Sequence, residues 1–221
     1  MKAPADPDHV VIVGSAPVTR DDLLTYSAGA SALICADGGA DAVLAAGLLP
    51  SLVVGDMDSI GQHTRARIAA AGVRSVEHPP EKDQTDLELA LWHALTLQPR
   101  RVTILGALGG RRLDHALGNV LLLAHPALRQ VDARIVDAQT EVLAIWQERT
   151  IQGLPGEYVT LLPLTPRVEG VSTEGLRYPL RDETLQQGYT RGVSNELLAA
   201  EATVQLREGC LLLVHERLRR E

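Results

Sequence analysis

Three acidic side chains come directly after short apolar runs of this sequence. Asp37 follows the run at residues 32–36, and Asp56 and Asp58 follow the run at residues 52–54. Runs of this length, rich in Val, Ile and Leu, are typical of strands that are buried on both faces. In an open α/β sheet the ligand lies beyond the carboxyl ends of the strands, so we expect these carboxylates to meet at one edge of the sheet.

A second acidic pair, Asp83 and Asp86, opens a helical pattern and is expected at the same edge. Carboxylates about 4 Å apart repel one another by roughly 1 to 4 kcal/mol, and a divalent cation removes that repulsion. The candidate ligands are all oxygen donors, which favours Mg²⁺ over Zn²⁺. One alternative stays open, because Asp58 with Ser59, or Thr85 with Asp86, could simply cap the helices that follow.

A glycine-rich turn at residues 106–110 lies between another apolar run and a helical pattern. Glycines let a backbone approach a ligand closely, and a helix N-terminus offers free N–H groups to an anion. Arg111 or Arg112 is expected to add a phosphate contact, although such turns are also found with a purely structural role. We interpret His115 as a packing or hydrogen-bonding residue rather than a base. Asn119, one turn further on, is expected to hydrogen-bond toward the same site.

The composition excludes several classes of protein. The 221 residues are 45% hydrophobic and 22% charged, as in ordinary globular proteins, and no apolar run is long enough to cross a membrane. A net charge of −7 argues against a nucleic-acid partner. The two cysteines lie in apolar segments and no signal sequence is evident, which predicts a cytoplasmic protein with reduced thiols.

The basic residues are almost all arginine, since Lys2 and Lys82 are the two lysines of the sequence. No GxxxxGK[ST] motif is present, which excludes a P-loop nucleotide site. Phosphate charge must therefore be met by arginine, backbone amides or a metal, and any chemistry that needs a lysine would have to use Lys82.

Strand and helix patterns alternate over the first part of the chain and predict a parallel, Rossmann-like α/β sheet. Later segments are short, alternating and punctuated by glycine and proline, which predicts a smaller antiparallel β domain. The boundary is placed at residue 140, with residues 140–150 left open as a strand of either domain. The predicted strands of the first domain cover residues 9–13, 32–36, 52–54 and 101–105, and its predicted helices cover residues 40–46, 62–71, 86–97 and 113–124.

The acidic and glycine-rich segments resemble the motifs of thiamine pyrophosphokinases in their order and approximate spacing, and the resemblance spans essentially the whole chain. The motifs that carry it are Ala36-Asp37-Gly38-Gly39-Ala40, Gly55-Asp56-Met57-Asp58-Ser59, Asp83-Gln84-Thr85-Asp86, Gly109-Gly110-Arg111-Arg112-Leu113-Asp114-His115, and the later pair Val171-Ser172-Thr173-Glu174-Gly175-Leu176-Arg177-Tyr178-Pro179-Leu180 with Arg191-Gly192-Val193-Ser194-Asn195-Glu196.

This resemblance implies an N-terminal α/β domain at residues 1–140 that binds ATP and a C-terminal β-sandwich at residues 141–221 that binds thiamine. It also implies a homodimer with thiamine bound between subunits. The implied sites are Asp56, Asp58 and Asp86 for Mg²⁺ on the triphosphate; Asp37, Gly38, Gly109, Gly110, Arg112 and Asp114 for the nucleotide, with His115 and Asn119 assigned beside them; and Ser172, Thr173, Tyr178, Ser194 and Asn195 for thiamine.

Two positions depart from some members of that family. Tyr178 stands where animal members carry tryptophan, and a tyrosine ring can also face a cationic ring, although a place in the β-domain core is the alternative. Lys82 stands where some relatives carry glutamine, which leaves any substrate contact there open.

The reaction expected from the resemblance is attack of the thiamine hydroxyl on the β-phosphorus of ATP, with AMP as the leaving group. Arg111 or Arg112 would offset phosphate charge, and Asp83 is preferred to a metal-bound Asp86 as the proton acceptor. Three alternatives stay open: a diphosphokinase acting on another small alcohol such as a pterin, a non-catalytic nucleotide sensor, and a metal-dependent phosphohydrolase.

Overall fold

The computed structural model describes residues 6–218, so that Lys2 lies outside the described residues. The chain divides into two compact units. The first runs up to Leu122 and takes in Gln130–Ala138, and the second consists of Leu123–Arg129 and the residues from Gln139 onward. Across the described residues, we find no helix with the length and apolar character needed to span a membrane.

The first unit is a parallel α/β sheet with helices between its strands, as predicted. Its elements among the described residues are the strands β1 (Asp6–Val13), β2 (Ala30–Ala36), β3 (Leu52–Gly55), β4 (Arg74–Glu77), β5 (Arg101–Leu105) and β6 (Asp132–Asp137), and the helices α1 (Arg20–Ser27), α2 (Gly39–Ala45), α3 (Gln62–Ala70), α4 (Asp86–Leu95) and α5 (Leu113–Leu122). The strand order is β6-β5-β1-β2-β3-β4, and neighbouring strands are parallel.

The central strands form where the sequence is richest in branched apolar residues. Ile12 of β1 pairs in register with Ile34 of β2 and Ile104 of β5, and each of the three is at most 1% exposed. Branched side chains suit strands that are covered on both faces. The run at residues 9–13 therefore predicts the buried half of β1 correctly.

Three elements of the first unit were not predicted. The β4 strand has the polar sequence RSVE and pairs with β3 at the end of the strand order, so it carries no apolar signal. Helix α1 has a weak apolar stripe, and its clearest signal is the N-cap Thr19, whose side chain accepts a hydrogen bond from Asp22 N. The β6 strand lies inside the predicted bounds of the first domain but was not among its predicted strands.

The second unit is antiparallel, as predicted. Its strands among the described residues are β7 (Thr140–Ile145), β8 (Glu148–Gln152), β9 (Tyr158–Pro163), β10 (Arg167–Glu174), β11 (Glu183–Gln186), β12 (Asn195–Glu196), β13 (Glu201–Gln205) and β14 (Leu211–Glu216), with a 3₁₀ turn at Pro126–Leu128. Within this unit β12, β9, β14 and β7 are neighbours in that order in one sheet, and β11, β10, β13 and β8 form another. The segment 140–150 contains β7 and the start of β8.

A single apolar core lies between these two sheets. Alternate residues supply it, for example Leu143 and Ile145 from β7 on one side and Val204 from β13 on the other. The period of two places the intervening residues on the outer faces. The alternation of apolar and polar residues after residue 140 thus corresponds to a two-layer β-sandwich.

A buried contact between the Glu157 carboxylate and the His215 imidazole links β14 to the residue before β9. Glu157 Oε2 lies 2.8 Å from His215 Nε2, and the side chains are 4% and 2% exposed. The same carboxylate accepts hydrogen bonds from Leu154 N and Leu218 N, both at 3.0 Å. Burial raises the pKa of Glu157, but these two backbone donors and His215 outweigh burial, and the net shift is downward.

We expect Glu157→Gln to lower the free energy of unfolding by about 3 kcal/mol at neutral pH, because it leaves a buried His215 without its charged partner. Urea denaturation measures this, with Glu148→Gln as the matched control at an exposed position of the same unit. The folded-state pKa of Glu157 lies below its ordinary value of 4.5. Its contribution is therefore complete above pH 4.5 and is lost as the pH falls through the folded-state pKa. A difference between wild type and variant that does not shrink on acidification would contradict this assignment.

Candidate active site

A cavity of about 650 Å³ in the first unit is lined by the residues that follow the carboxyl ends of β1 and β5. Gly14 N donates to Leu105 O at 2.8 Å, and Ala16 N donates to Gly106 O at 2.9 Å. Gly106 has a φ of +60°, and a Cβ there would lie 2.7 Å from Gly14 O. Glycine is required at this point, because a side chain would push the two loops apart.

Three carboxylates meet at the carboxyl ends of β2 and β3. Asp37, Asp56 and Asp58 each offer one oxygen, and these oxygens all lie within 4.8 Å of one another. Asp37 is held in place by its own backbone, which donates to Val54 O at 2.8 Å, and by Ser59 N, which donates to its Oδ2 at 3.3 Å. The strand ends thus bring together residues that are about 20 positions apart in the sequence.

The backbone at this cluster adopts uncommon conformations. Asp37 has a φ of 41° and Met57 a φ of 65°, a region that residues with a side chain seldom occupy. Met57 is 5% exposed and packs in the core of the first unit, while Asp56 and Asp58 on either side of it remain accessible to the cavity. The left-handed turn at Met57 is what separates the apolar side chain from the two acidic ones.

The alternative that these segments cap helices is confirmed for Thr85 and wrong for Asp58. The N-cap of α3 is Gly61, which makes no side-chain cap, and Asp58 Oδ1 instead accepts from Ser59 Oγ at 2.9 Å. The N-cap of α4 is Thr85, whose Oγ1 accepts from Glu88 N, so Asp86 is free to face the cavity from the first turn.

The electrostatics of the cluster fit a bound divalent cation. Burial, with the neighbouring Asp86, Asp56 and Asp58, raises the pKa of Asp37 despite the hydrogen bond from Ser59. Asp37 Oδ1 is buried and has no hydrogen-bond partner among the described residues. The pKa of Asp56, by contrast, is lowered by the backbone hydrogen bond from Asp58 and by Lys82. An unpartnered buried oxygen beside two further carboxylates is the donor set that Mg²⁺ prefers.

Lys82 joins Asp86 to this cluster. Its Nζ lies 3.1 Å from Asp56 Oδ2 and 3.1 Å from Asp86 Oδ1, and its side chain is 12% exposed. Desolvation opposes the charge on Lys82, but the hydrogen bonds to Asp86 and Asp56 outweigh it and raise its pKa. These contacts were not predicted from the sequence, although the i, i+4 spacing of Lys82 and Asp86 is a signal for one of them.

The glycine-rich turn supplies the opposite wall of the cavity. Gly109 and Gly110 have φ values of +77° and +75°, and both line the cavity with Arg111 and Arg112. Arg112 forms a forked pair with Asp114, with nitrogen-to-oxygen distances of 2.9 and 2.6 Å. This pair holds the pKa of Asp114 well below its usual range. Within residues 6–218, Arg111 makes no ion pair, so its guanidinium is available to an anion.

The remaining predicted site residues differ in whether they line the cavity. His115 and Asn119 of α5 line the cavity, and Asn119 Nδ2 donates to Ala107 O at 2.8 Å, which fixes its side chain toward the turn. Gly38, the N-cap of α2 next to Asp37, and Asp114 are not among the lining residues of the described chain. Asp83 is exposed and does not belong to the cavity lining, within the part of the chain that the structure describes. Sequence reasoning missed Ser15, which lines the cavity after β1.

In the second unit, the predicted thiamine residues surround the loop between β10 and β11. Asn195 Oδ1 accepts from Tyr178 N at 2.9 Å, and Asn195 Nδ2 donates to Tyr178 O at 2.7 Å. Thr173 Oγ1 accepts from Leu180 N at 2.9 Å. These side chains brace a loop on which Tyr178 is 55% exposed, so Tyr178 is not a core residue.

The two other residues of this group have different partners. Ser172 Oγ accepts from Asp182 N at 3.0 Å and fastens the far end of the same loop. Ser194, exposed and with a φ of 57°, donates from its backbone N to Thr160 Oγ1 at 3.0 Å. The structure therefore gathers Ser172, Thr173, Tyr178 and Asn195 around one loop.

Comparison with known proteins gives two family matches. The sequence model described as "Thiamin pyrophosphokinase, catalytic domain" matches residues 23–136, and that described as "Thiamin pyrophosphokinase, vitamin B1 binding domain" matches residues 147–211. The chain is 31% identical over 214 residues to the thiamine pyrophosphokinase of Bacillus subtilis (strain 168), covering 92% of this chain and 96% of the relative.

Solved structures agree with these matches. A crystal structure of thiamine pyrophosphokinase from Bacillus subtilis superposes with a TM-score of 0.85 at 31% identity, covering 96% of this chain and 100% of that one. A crystal structure of thiamin pyrophosphokinase from Geobacillus thermodenitrificans gives a TM-score of 0.83 at 28% identity, covering 95% and 98% of the two chains. By sequence and by fold, the chain belongs to the thiamine pyrophosphokinase family.

Proposed function

We propose that this chain transfers the diphosphate group of ATP to the hydroxyl of thiamine, giving thiamine diphosphate and AMP. The observation that carries the proposal is the meeting of Asp37, Asp56 and Asp58 in one cavity with Lys82 and Asp86, in a chain of this family. Polyphosphate transfer depends mainly on positioning and charge neutralisation, which such a site supplies.

The acidic cluster is our proposed Mg²⁺ site. Asp56, Asp58 and Asp86 are its proposed ligands, and the unpartnered Oδ1 of Asp37 supports a place for Asp37 beside them. A bound Mg²⁺ would neutralise phosphate charge and hold the polyphosphate in the cavity. The glycine-rich turn on the other side of the cavity offers an anionic nucleotide an accessible backbone and the guanidinium of Arg111.

The nucleotide is proposed to lie against the turn after β5. Gly109 and Gly110 leave its backbone open to close approach, and the forked Arg112–Asp114 pair beside them has exposed side chains that a ligand can reach. Gly38, His115 and Asn119 complete the proposed nucleotide site. We assign Arg111 to the transferred phosphates, because its charge is not used by a carboxylate of the described residues.

In the reaction itself, the thiamine oxygen forms a bond to the β-phosphorus while the bond from that phosphorus to the α–β bridging oxygen breaks. The electron pair of the broken bond leaves with AMP. The hydroxyl proton passes to a carboxylate, for which we propose Asp83, which stands between Lys82 and Gln84, two residues that line the cavity. Asp83 is exposed and forms none of the ion pairs found among residues 6–218, whereas Asp86 is held by Lys82.

We assign ATP binding to a domain at residues 1–140 and thiamine binding to a domain at residues 141–221. The exposed ring of Tyr178, on a loop braced by Asn195 and Thr173, is suited to face the cationic ring of thiamine. Ser172 and Ser194 are the further proposed thiamine residues.

The working form is proposed to be a cytoplasmic homodimer. Leu113, Leu117 and Leu121 lie on one face of α5 and are 72%, 57% and 61% exposed, an apolar stripe that a second subunit would cover. Both cysteines are buried and unpaired, which suits a reducing compartment.

The direct experiment incubates the protein with ATP, Mg²⁺ and thiamine and separates the nucleotides. We expect one AMP for each thiamine diphosphate, and no AMP when thiamine is left out or Mg²⁺ is chelated. ADP as the product would mean transfer of a single phosphoryl group. Cleavage of ATP at full rate without thiamine would mean hydrolysis and would overturn the proposal.

The family matches do not favour the alternatives of another small alcohol, such as a pterin, or a non-catalytic nucleotide sensor. The same incubation tests them. A pterin alcohol should not replace thiamine as the acceptor, and the wild-type protein should consume ATP over many turnovers.

A further inference from the structure

Lys82 occupies the position between two carboxylates that the proposed function assigns to a divalent cation. Its Nζ is 3.1 Å from both Asp56 Oδ2 and Asp86 Oδ1. The three side chains are 12%, 13% and 26% exposed, so solvent screens these contacts only in part. Lys82 is also the only lysine within residues 6–218.

We propose that Lys82 is a resident counter-ion of the acidic cluster, which the incoming metal displaces and which then contacts the phosphates of the nucleotide. This inference rests on the proposed metal site. It adds a role for a residue that the proposed reaction does not use.

The displacement follows from charge. An ammonium group and a divalent cation that share the oxygens of Asp56 and Asp86 would repel one another at close range, so both cannot hold these oxygens together. Before the metal arrives, the ammonium offsets the repulsion among the carboxylates. A metal held by these oxygens would leave the ammonium without its partners, and the ammonium would then need another negative group.

The surroundings of Lys82 allow its ammonium group to move from the carboxylates toward the proposed phosphate site. Lys82 lies between β4 and α4, in a segment without regular structure, and its backbone N donates to Pro80 O at 3.1 Å. Its side chain has four rotatable bonds and lines the same cavity as Arg111. An ammonium released from Asp56 and Asp86 thus stays in the cavity proposed to hold a polyphosphate.

Two effects of opposite sign follow for a neutral residue at this position. Without nucleotide, the metal no longer competes with an ammonium and should bind more tightly. With nucleotide, the phosphates lose a cationic partner and the metal–nucleotide complex should bind more weakly. A residue with a merely structural role would weaken both, because its loss would loosen the site.

The experiment measures binding of Mn²⁺ to Lys82→Met and to wild type by electron paramagnetic resonance of the free ion. Mn²⁺ alone is expected to bind the variant about tenfold more tightly. Mn²⁺ with a non-hydrolysable ATP analogue is expected to bind about tenfold more weakly. Lys82→Arg, which keeps the charge, should stay close to wild type in the first measurement.

Arg100→Gln is the matched control for net charge. It also removes one positive charge, but its partner is Asp8 at the opposite end of the parallel strands, with an exposed side chain. Arg100→Gln should change neither the affinity for Mn²⁺ alone nor the affinity for Mn²⁺ with the ATP analogue. Lys82→Gln supplies the same test if Lys82→Met does not fold.

Equal or weaker binding of Mn²⁺ alone to the neutral variants, with AMP formation by wild type intact, would overturn the role of Lys82 and leave the proposed function standing. Absence of Mn²⁺ binding in wild type together with absence of AMP formation would overturn both.

Discussion

Asp56→Asn is expected to lower the rate of AMP formation by about 10³-fold while leaving the fold intact. Asparagine has nearly the same size, and its side-chain oxygen can still accept the hydrogen bond from Asp58 N, which Asp56 Oδ1 now accepts at 3.2 Å. What the variant lacks is the negative charge. The proposed metal would lose one anionic ligand, and Lys82 would lose one of its two carboxylates.

The rate is measured by separating AMP from ATP at saturating thiamine, and Mn²⁺ binding is measured alongside. Asp8→Asn is the control, because it removes an exposed carboxylate at the opposite end of the strands. Thermal unfolding without metal should be only slightly lower for Asp56→Asn, because Lys82 loses one partner and keeps Asp86 as the other. A rate within about threefold of wild type would exclude Asp56 as a ligand of the working metal.

Gly55→Ala is expected to lower the same rate by about 10²-fold, although residue 55 contributes no side chain to the site. Gly55 ends β3 with a φ of +150°, and a Cβ there would lie 3.0 Å from Asp37 Cβ and 3.1 Å from Asp86 Cγ. An added methyl group would therefore push two carboxylates of the cluster apart. The geometry of the proposed metal site depends on these positions within a few tenths of an ångström.

Gly72→Ala is the control for Gly55→Ala, because it introduces the backbone strain without the crowding. Gly72 has a φ of +67° after α3, and a Cβ there would meet no atom within 4 Å. Both variants should lose about 1 kcal/mol of stability or more in urea denaturation, because alanine is disfavoured at positive φ. Only Gly55→Ala should lose activity and metal affinity. Similar activity in the two variants would show that the cluster tolerates the displacement.

The sequence predicted most reliably the parts of the fold that local composition determines. The runs at residues 32–36 and 101–105 contain branched apolar residues at consecutive positions, and they form the buried strands β2 and β5. Strand β4 was missed because an edge strand needs no apolar face, and its sequence RSVE offers none. The two helices α4 and α5 end two residues earlier than predicted, since apolar patterns do not mark where a helix frays.

For the candidate site, the position of Asp37 and Asp56 after strands was sufficient to predict that they come together, because parallel strands end at the same edge. The sequence did not predict which residue each of these side chains contacts. The contact of Lys82 with Asp56 joins residues 26 positions apart, and Asn195 reaches Tyr178 across 17 positions. Such contacts depend on loop conformations that no periodicity encodes.

The conformations of Asp37 and Met57 have a consequence for protein engineering. Each places a β-carbon in left-handed backbone geometry, which costs about 1 kcal/mol per residue, against a total stability of about 5 to 15 kcal/mol for a typical domain. Glycine at position 37 would relieve that cost and remove a buried carboxylate, so a laboratory selection for heat resistance alone should favour Asp37→Gly. Glycine at position 57 would instead lose the buried Met57 side chain, which costs about 2 to 5 kcal/mol. The resulting proteins would be more robust and poorer catalysts, which makes residue 37 the one to hold constant when the chain is stabilised.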